Sequence, residues 1–118
     1  MKIAVCIKRT PDSESRFKIG APANSIDESG LKFDMDDFAG YAVEVALQLN
    51  EKQGPGETVV FAVGPDNVQE TLRKAMSMGA DRAVHLKSEA AVFDGVAVAK
   101  ALASELKTGA FDLMLFGK

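Results

Sequence analysis

The chain has 118 residues, of which 47% are hydrophobic and 26% are charged, with a formal net charge of −3 and one cysteine. This is the length of one ordinary domain, and so weak a negative charge argues against nucleic acid or an anionic membrane as a partner. A single cysteine excludes an intramolecular disulfide framework and the usual cysteine-based zinc sites. The apolar run after Met1 is too short for a secretory signal or a membrane span, so we expect a cytoplasmic protein without direct membrane insertion.

Four short apolar runs predict the strands of a parallel sheet. They are KIAVCIK at 2–8, ETVVFAVGP at 57–65, RAVHLK at 82–87 and FDLMLFG at 111–117. The first run is apolar almost throughout, which is typical of a strand covered on both faces. The third run alternates, with Val84 and Leu86 on one face and His85 on the other, and this predicts a strand nearer an edge.

Residues 10–35 form a long polar excursion between the first strand and the first helix. The stretches RFKI and LKFDM within it are possible short strands of a hairpin. Connections of this length inside a domain are usually functional or mobile. Because the excursion follows the first strand, it lies at the carboxyl end of the sheet, where doubly wound folds bind ligands.

Three helices are predicted between the later strands. Apolar side chains at helical spacing mark the sides that face the sheet, namely Ala42, Val45, Ala46 and Leu49, then Val68, Leu72, Ala75 and Met76, then Ala99, Leu102, Ala103 and Leu106. Asp66 with Gln69 suggests a capping box for the second helix, and Gly79 suits the left-handed position after it. The predicted fold class is therefore α/β: a parallel sheet of about four strands with helices on both faces, in which the first and fourth strands are adjacent.

The residues alone point to a place for a ligand but not to a chemistry. The chain contains no GxGxxG and no Walker motif, and His85 has no evident carboxylate or nucleophile spaced for catalysis. The run DMDD, Asp34 to Asp37, fits either a hard-cation site or a capped helix start, and the cap is favoured. Cys6 reads as a core residue rather than a reactive thiol. The expected site lies between the ends of the first and fourth strands, beneath the excursion.

Several stretches taken together resemble a known family. MKIAVCIKRTPD, SIDESGLKF, YAVEVALQLNEK, VVFAVGPDNVQETLRKAMSMGADRAVHL and FDLMLFGK are similar, in that order, to the β subunit of electron transfer flavoproteins. The resemblance covers essentially the whole chain, and its most specific part runs from Gly64 to Leu86. It implies an adenine-nucleotide-hydrolase-like variant of the Rossmann fold. Family members are considerably longer, so residues 1–118 are expected to be a single nucleotide-binding-type domain from the amino-terminal part of such a subunit.

The resemblance implies an electron carrier and not an enzyme. Family members form a heterodimer with an α subunit that holds most of a shared FAD, and they exchange electrons with flavin dehydrogenases. The β subunit itself holds AMP, or a second, bifurcating FAD. Carried over residue by residue, the nucleotide-binding positions are Cys6, Asp36, Asp37, Phe38, Ala39, Val63, Gly117 and Lys118.

Two departures from the family pattern affect this site. Asp36 and Asp37 stand where the family typically has Asn-Pro, and two carboxylates repel a phosphate but tolerate adenine or ribose. Ala39 and Gly40 stand where acidic residues are common, which removes a polar contact. The first of these changes therefore favours adenine or ribose over a phosphate at this position.

Two other interpretations stay open at this point. The same strand pattern fits a stand-alone adenine-nucleotide-binding module of the universal-stress type. It also fits a folded fragment without activity, whose exposed sheet edge pairs with another copy.

Overall fold

A computed structural model of the chain describes residues 1–23, 25–89 and 94–118, and it contains a parallel sheet with helices on both faces. The elements in chain order are β1 Lys2–Cys6, β2 Arg9–Pro11, β3 Phe33–Met35, α1 Asp37–Gln53, β4 Glu57–Gly64, α2 Val68–Met78, β5 Arg82–Lys87, α3 Gly95–Leu106 and β6 Leu113–Phe116. The four strands predicted from the sequence correspond to β1, β4, β5 and β6.

The sheet has four parallel strands in the order β5-β4-β1-β6. This confirms that the first and fourth predicted strands are adjacent, and Cys6 lies in register with Phe116 of β6 and Phe61 of β4. Ile3, Ala4 and Val5 are completely buried, which explains why β1 is apolar on both faces after Lys2. The weak, alternating third run forms the edge strand β5, as predicted.

The helices α1 and α2 cover one face of the sheet. Their buried residues are Ala39, Ala42, Val43 and Ala46 in α1, and Val68, Thr71, Leu72 and Ala75 in α2. The predicted apolar stripes were therefore partly wrong: Val45 is 46% exposed and Met76 is 38% exposed. Val43 takes the place of Val45, because the helix is turned so that Ala39 and Val43, four residues apart, face the sheet.

The helix α3 covers the other face much more thinly. Among its residues 95–106, all of which are described, Leu106 is buried, Leu102 is half-buried, and Ala99 and Ala103 are exposed. Leu106 and Leu102 pack on Ala4, Cys6, Val59 and Phe61. The apolar stripe of the third helix was thus correctly placed in the sequence, but only part of it reaches the sheet.

The excursion after β1 is anchored at its base by a short antiparallel pair. β2 pairs with β3, with Thr10 in register with Asp34. The prediction of a strand at LKFDM was thus partly right, whereas RFKI forms no strand and makes only an isolated bridge between Ile19 and Ile26. Lys74 of α2 ties the base of the excursion to the helical layer, with its Nζ 2.6 Å from both carboxylate oxygens of Asp34.

At the two ends of α2, the predicted C-terminal glycine is confirmed and the predicted N-terminal capping box is wrong. Gly79 ends the helix with a φ of 126°, and its amide donates to the carbonyls of Ala75 and Met76, as predicted. The capping box is absent, since Asn67 precedes the helix without a side-chain cap and the Gln69 amide donates to the backbone carbonyl of Asp66. In the turn before α2 the amides of Val68 and Gln69 donate to the backbone carbonyls of Pro65 and Asp66. These amides therefore need no side-chain acceptor.

Two aspartates join neighbouring strands with the same pair of hydrogen bonds. The amide of Asp112 donates to the carbonyl of Lys2 at 2.8 Å, and the Asp112 carboxylate accepts from the amide of Lys2 at 2.7 Å. Asp81 makes the equivalent two bonds with Thr58, at 2.9 and 2.8 Å. These bonds fix the start of β6 against β1 and of β5 against β4.

Candidate functional site

The start of α1 is tied to the chain just beyond β1. The amide of Asp36 donates to the carbonyl of Lys8 at 2.8 Å, and the Asp36 carboxylate accepts a hydrogen bond from the amide of Ala39 at 3.0 Å. Asp36 is therefore the helix N-cap, as the sequence favoured, and its negative charge lies at the positive end of the helix dipole. The carboxyl end of β1 and the amino end of α1 thus form one corner of the domain.

Gly117 brings the end of β6 to the same corner. A methyl group on Gly117 would lie 2.8 Å from both the amide nitrogen of Ala39 and Oδ2 of Asp36, which is closer than side-chain carbons approach other atoms. Only a glycine allows the backbone after β6 to lie this close to the helix start. Asp36, Ala39 and Gly117 are consequently in contact, and Cys6 lies one residue back along the paired strands.

The side chain of Cys6 lies on the face of the sheet opposite to α1. It is 8% exposed and packs with Phe61 and Leu106 on the α3 side of the sheet. Burial raises the pKa of the Cys6 thiol to about 11, so the side chain is a neutral thiol at physiological pH. The structure thus supports the core interpretation of this residue over the reactive one.

The remaining predicted positions lie at the rim of the corner or beside it. Asp37, Phe38 and Lys118 are exposed, and the Phe38 ring meets the Tyr41 ring edge to face with centroids 6.1 Å apart. Val63 is half-buried near the end of β4, two residues beyond the register partner of Cys6, and pairs with Leu86. The structure therefore brings Asp36, Ala39 and Gly117 together. Cys6 is next to them along the backbone, but its side chain is on the other face of the sheet, and Val63 lies one strand away.

The donors and acceptors at this corner suit the nucleoside part of an adenine nucleotide better than its phosphates. The Ala39 amide, which a phosphate would use at a helix start, is already bonded to the Asp36 carboxylate. The exposed carboxylate of Asp37 can accept hydrogen bonds from ribose hydroxyls, and it repels phosphate oxygens. The exposed Phe38 ring offers a face to an adenine base.

A cavity of about 360 Å³ beside this corner was not found from the sequence. It lies between α1 and α2, and its polar lining is Asp34, Asp36, Asp37, Tyr41, Glu44 and Lys74. The Lys74 ammonium, hydrogen-bonded to Asp34, holds the pKa of that carboxyl below its ordinary value. Only the pairing of β3 with β2 brings Asp34 within reach of Lys74, so no local signal in the sequence marks this cavity.

Residues 1–23, 25–89 and 94–118 contain no cluster of side chains arranged for metal binding or for histidine catalysis. No group of three or more His, Cys, Asp or Glu side chains in these ranges is arranged to hold a metal ion. His85 Nε2–H donates to the carbonyl of Gly64 at 2.7 Å, so the histidine links β5 to the end of β4. None of the helices in these ranges combines the length and the apolar character that a bilayer crossing requires.

Comparison with known proteins gives a consistent picture. The sequence profile described as "Electron transfer flavoprotein domain" matches residues 23–118. "Electron transfer flavoprotein subunit beta" of Methylophilus methylotrophus is 35% identical over 119 residues, which cover 99% of this chain and 45% of that protein. The subunits of the same name from Homo sapiens and from Bradyrhizobium diazoefficiens are 33% and 34% identical over the full chain, which covers 48% and 47% of their lengths.

The chain spans about half the length of the curated relatives it matches. Within that half the family profile covers most of the residues, including α1, the whole of β4 to β6 and the corner residues from Asp36 onward. The chain belongs to the electron transfer flavoprotein domain family, and its curated relatives are beta subunits of that family.

Proposed function

We propose that these 118 residues are a nucleotide-binding domain from the amino-terminal part of an electron transfer flavoprotein β subunit. The subunit would work in the cytoplasm, carrying electrons from flavin dehydrogenases to an acceptor as a heterodimer with an FAD-holding α subunit. The family match over residues 23–118 and the names of the relatives support this proposal. The redox chemistry would come from the flavin, whereas this chain would hold, orient and shield a nucleotide.

The observation that carries the proposal is the corner formed by β1, β6 and α1. It combines a close-packed backbone at Gly117 with an exposed carboxylate at Asp37 and an exposed ring at Phe38. Parallel α/β sheets bind ligands at the carboxyl ends of their strands, and this corner lies at those ends.

Each corner residue has a role in the proposal. Asp37 accepts hydrogen bonds from the ribose, and Phe38 packs against the base. Asp36, Ala39 and Gly117 fix the backbone around the ligand, and Cys6 and Val63 contribute through the backbone at the ends of β1 and β4. Lys118, which is exposed next to Gly117, offers a cation to a phosphate that points away from the two carboxylates. The nucleotide is AMP or a second FAD.

Calorimetry on the 118-residue chain tests the nucleotide site. We expect adenosine and AMP to bind with similar affinity, because the carboxylates favour the nucleoside over the phosphate. Asp37→Asn should weaken AMP binding about tenfold, the effect of losing one hydrogen bond to a charged group. Glu51→Gln removes an exposed carboxylate in the last turn of α1, at the opposite end of that helix, and serves as the control, which should leave binding unchanged.

Co-expression with a matching α subunit tests the electron-carrying role. We expect a yellow complex with flavin absorbance. A colourless pair that does not associate would contradict the proposal. Micromolar binding of ATP without any partner would instead favour a stand-alone nucleotide-binding module of the universal-stress type.

A further inference from the structure

Two aromatic side chains at the start of α1 form a pair. The rings of Phe38 and Tyr41 have their centroids 6.1 Å apart and their planes at 79°, which is an edge-to-face arrangement. Phe38 is 52% exposed and Tyr41 is 67% exposed. Among the described residues neither ring is part of a buried cluster. The pair therefore adds little to the core, and its geometry calls for another explanation.

The helix places Tyr41 where it can restrict the Phe38 ring. Residues three apart are neighbours on a helix surface, and helical side chains lean toward the amino end of the helix. The Tyr41 ring consequently lies over the turn that begins with Phe38. An exposed phenylalanine in a helix has two accessible χ1 rotamers, and contact with Tyr41 favours one of them.

The pair leaves a face of the Phe38 ring open to a ligand. In an edge-to-face pair one ring turns its edge to the face of the other, so at least one face of Phe38 has no contact with Tyr41. Asp37 directly precedes Phe38 in the first turn of α1. A base on the open face would therefore lie next to the carboxylate that accepts hydrogen bonds from the ribose in the proposed site.

Tyr41 is also a neighbour of that carboxylate. Asp37 and Tyr41 are four residues apart on α1, and both line the cavity between α1 and α2. The same tyrosine is thus adjacent to the two side chains that the proposed site uses for base and ribose.

We propose that Tyr41 is a positioning residue of the nucleotide site, and that its ring holds the Phe38 ring in the orientation that packs against the adenine base. This role rests on the proposed function, in which Phe38 contacts the base. Because the ring is restricted before the ligand arrives, less of the site has to be ordered on binding, and the affinity rises. Tyr41 acts through Phe38, and its hydroxyl has no part in the role.

Calorimetry with adenosine on the 118-residue chain tests this role. Tyr41→Ala should weaken binding about threefold, whereas Tyr41→Phe keeps the ring and should bind like the parent. Alanine is the best helix former, so the Tyr41→Ala chain should keep its circular dichroism spectrum. Val45→Ala removes another exposed apolar side chain of α1 and is the matched control, which should leave the affinity unchanged.

Two results of this titration overturn the proposal. One is a Tyr41→Ala chain that binds adenosine as tightly as the parent. The other is a Tyr41→Phe chain that binds as weakly as Tyr41→Ala, since the hydroxyl and not the ring would then matter. A parent chain that binds neither adenosine nor AMP contradicts the proposed function itself, whereas a parent that binds but is insensitive to Tyr41 contradicts this role alone.

A double-mutant cycle separates positioning from a direct contact with the ligand. In a chain that carries Phe38→Ala, the further change Tyr41→Ala should cause no additional loss of adenosine affinity, because the ring that Tyr41 holds is gone. An equal threefold loss in both backgrounds would show that Tyr41 acts on the ligand without Phe38, and it would overturn the proposal.

The tyrosine also provides its own spectroscopic signal. The chain contains one tyrosine and no tryptophan, so emission excited at the red edge of tyrosine absorption, where adenine does not absorb, comes from Tyr41. This emission should change as adenosine binds, with the same dissociation constant as in calorimetry. Emission that stays unchanged at saturating adenosine would place the base away from the aromatic pair and would overturn the proposal.

Discussion

The two faces of the sheet are built from similar sequence patterns but are covered very differently. α1 and α2 together bury eight of their residues on one face, whereas α3 buries Leu106 alone among its described residues on the other. The groove between α3 and β6 stays open, while Gly117 closes the α1 side so tightly that no side chain fits there. The comparison indicates that the α1–α2 face supplies most of the stability of these 118 residues.

The largest expected effect comes from matched leucine truncations on the two faces. Leu72→Ala in α2 removes a buried side chain and should lower the free energy of unfolding by about 2–5 kcal/mol. Leu102→Ala in the half-buried stripe of α3 should cost roughly 1 kcal/mol, since less apolar surface leaves water on folding. Urea unfolding followed by circular dichroism measures both. Equal losses would show that the two faces contribute alike.

The tight contact at the end of β6 gives the second prediction. Gly117→Ala places a methyl group against Ala39 and Asp36 and should destabilise the domain by about 1–3 kcal/mol. Gly40→Ala is the control, because Gly40 lies inside α1 with no atom within 4 Å of the added carbon. That substitution should stabilise by roughly 0.5–1 kcal/mol through helix propensity. A neutral Gly117→Ala variant would mean that the corner is looser than its distances indicate.

The helix cap at the same corner gives a smaller effect. Asp36→Ala removes the acceptor for the Ala39 amide and should cost about 1 kcal/mol, while Asp36→Asn should retain most of the stability. Asp37→Ala, one residue further on, removes a first-turn charge without a cap bond and should cost only a few tenths of a kcal/mol. The same urea titration compares the three variants, and a loss at Asp37 that exceeds the loss at Asp36 would contradict the assignment of the cap.

The smallest effect is a dependence of stability on pH at the base of the excursion. The hydrogen bond from Lys74 lowers the pKa of Asp34 in the folded state below its ordinary value of 3.8. The pair therefore stabilises the fold above that value, and this contribution is lost as the pH falls through the lowered pKa. Because both side chains are about half exposed, we expect only a few tenths of a kcal/mol. The difference in unfolding free energy between the parent and Asp34→Asn should shrink on acidification. A difference that grows on acidification would contradict this prediction.

The sequence predicted the sheet well because its signals are local. Each signal can be recognised from a few neighbouring residues. They are the continuous apolar run of β1, the alternation of Val84 and Leu86 in β5, and the glycine after α2. Asp36 was likewise predictable as a cap, since a carboxylate before an apolar stripe has few other roles. Three of the eight candidate site residues, Asp36, Ala39 and Gly117, lie in contact because the start of α1 packs against the end of β6.

The failed predictions concern choices between local patterns of nearly equal strength. Val43 and Val45 both fit an apolar stripe, and only the orientation of α1 on β1 and β6 buries the first and exposes the second. Asp66 with Gln69 matches a capping box, but the backbone turn before α2 satisfies the helix start without it. The apolar residues of RFKI have the composition of a strand, yet β2 takes their expected place next to β3.

By itself, the sequence determined the order and type of the elements, since hydrophobic periodicity and turn residues act over a few positions along the chain. Tertiary structure alone decided which apolar side chains stay exposed, how close Gly117 comes to α1, and that Asp34 meets Lys74. These outcomes depend on distances between residues far apart in the chain, which no local pattern encodes. The corner formed by β1, β6 and α1 is a consequence of that packing.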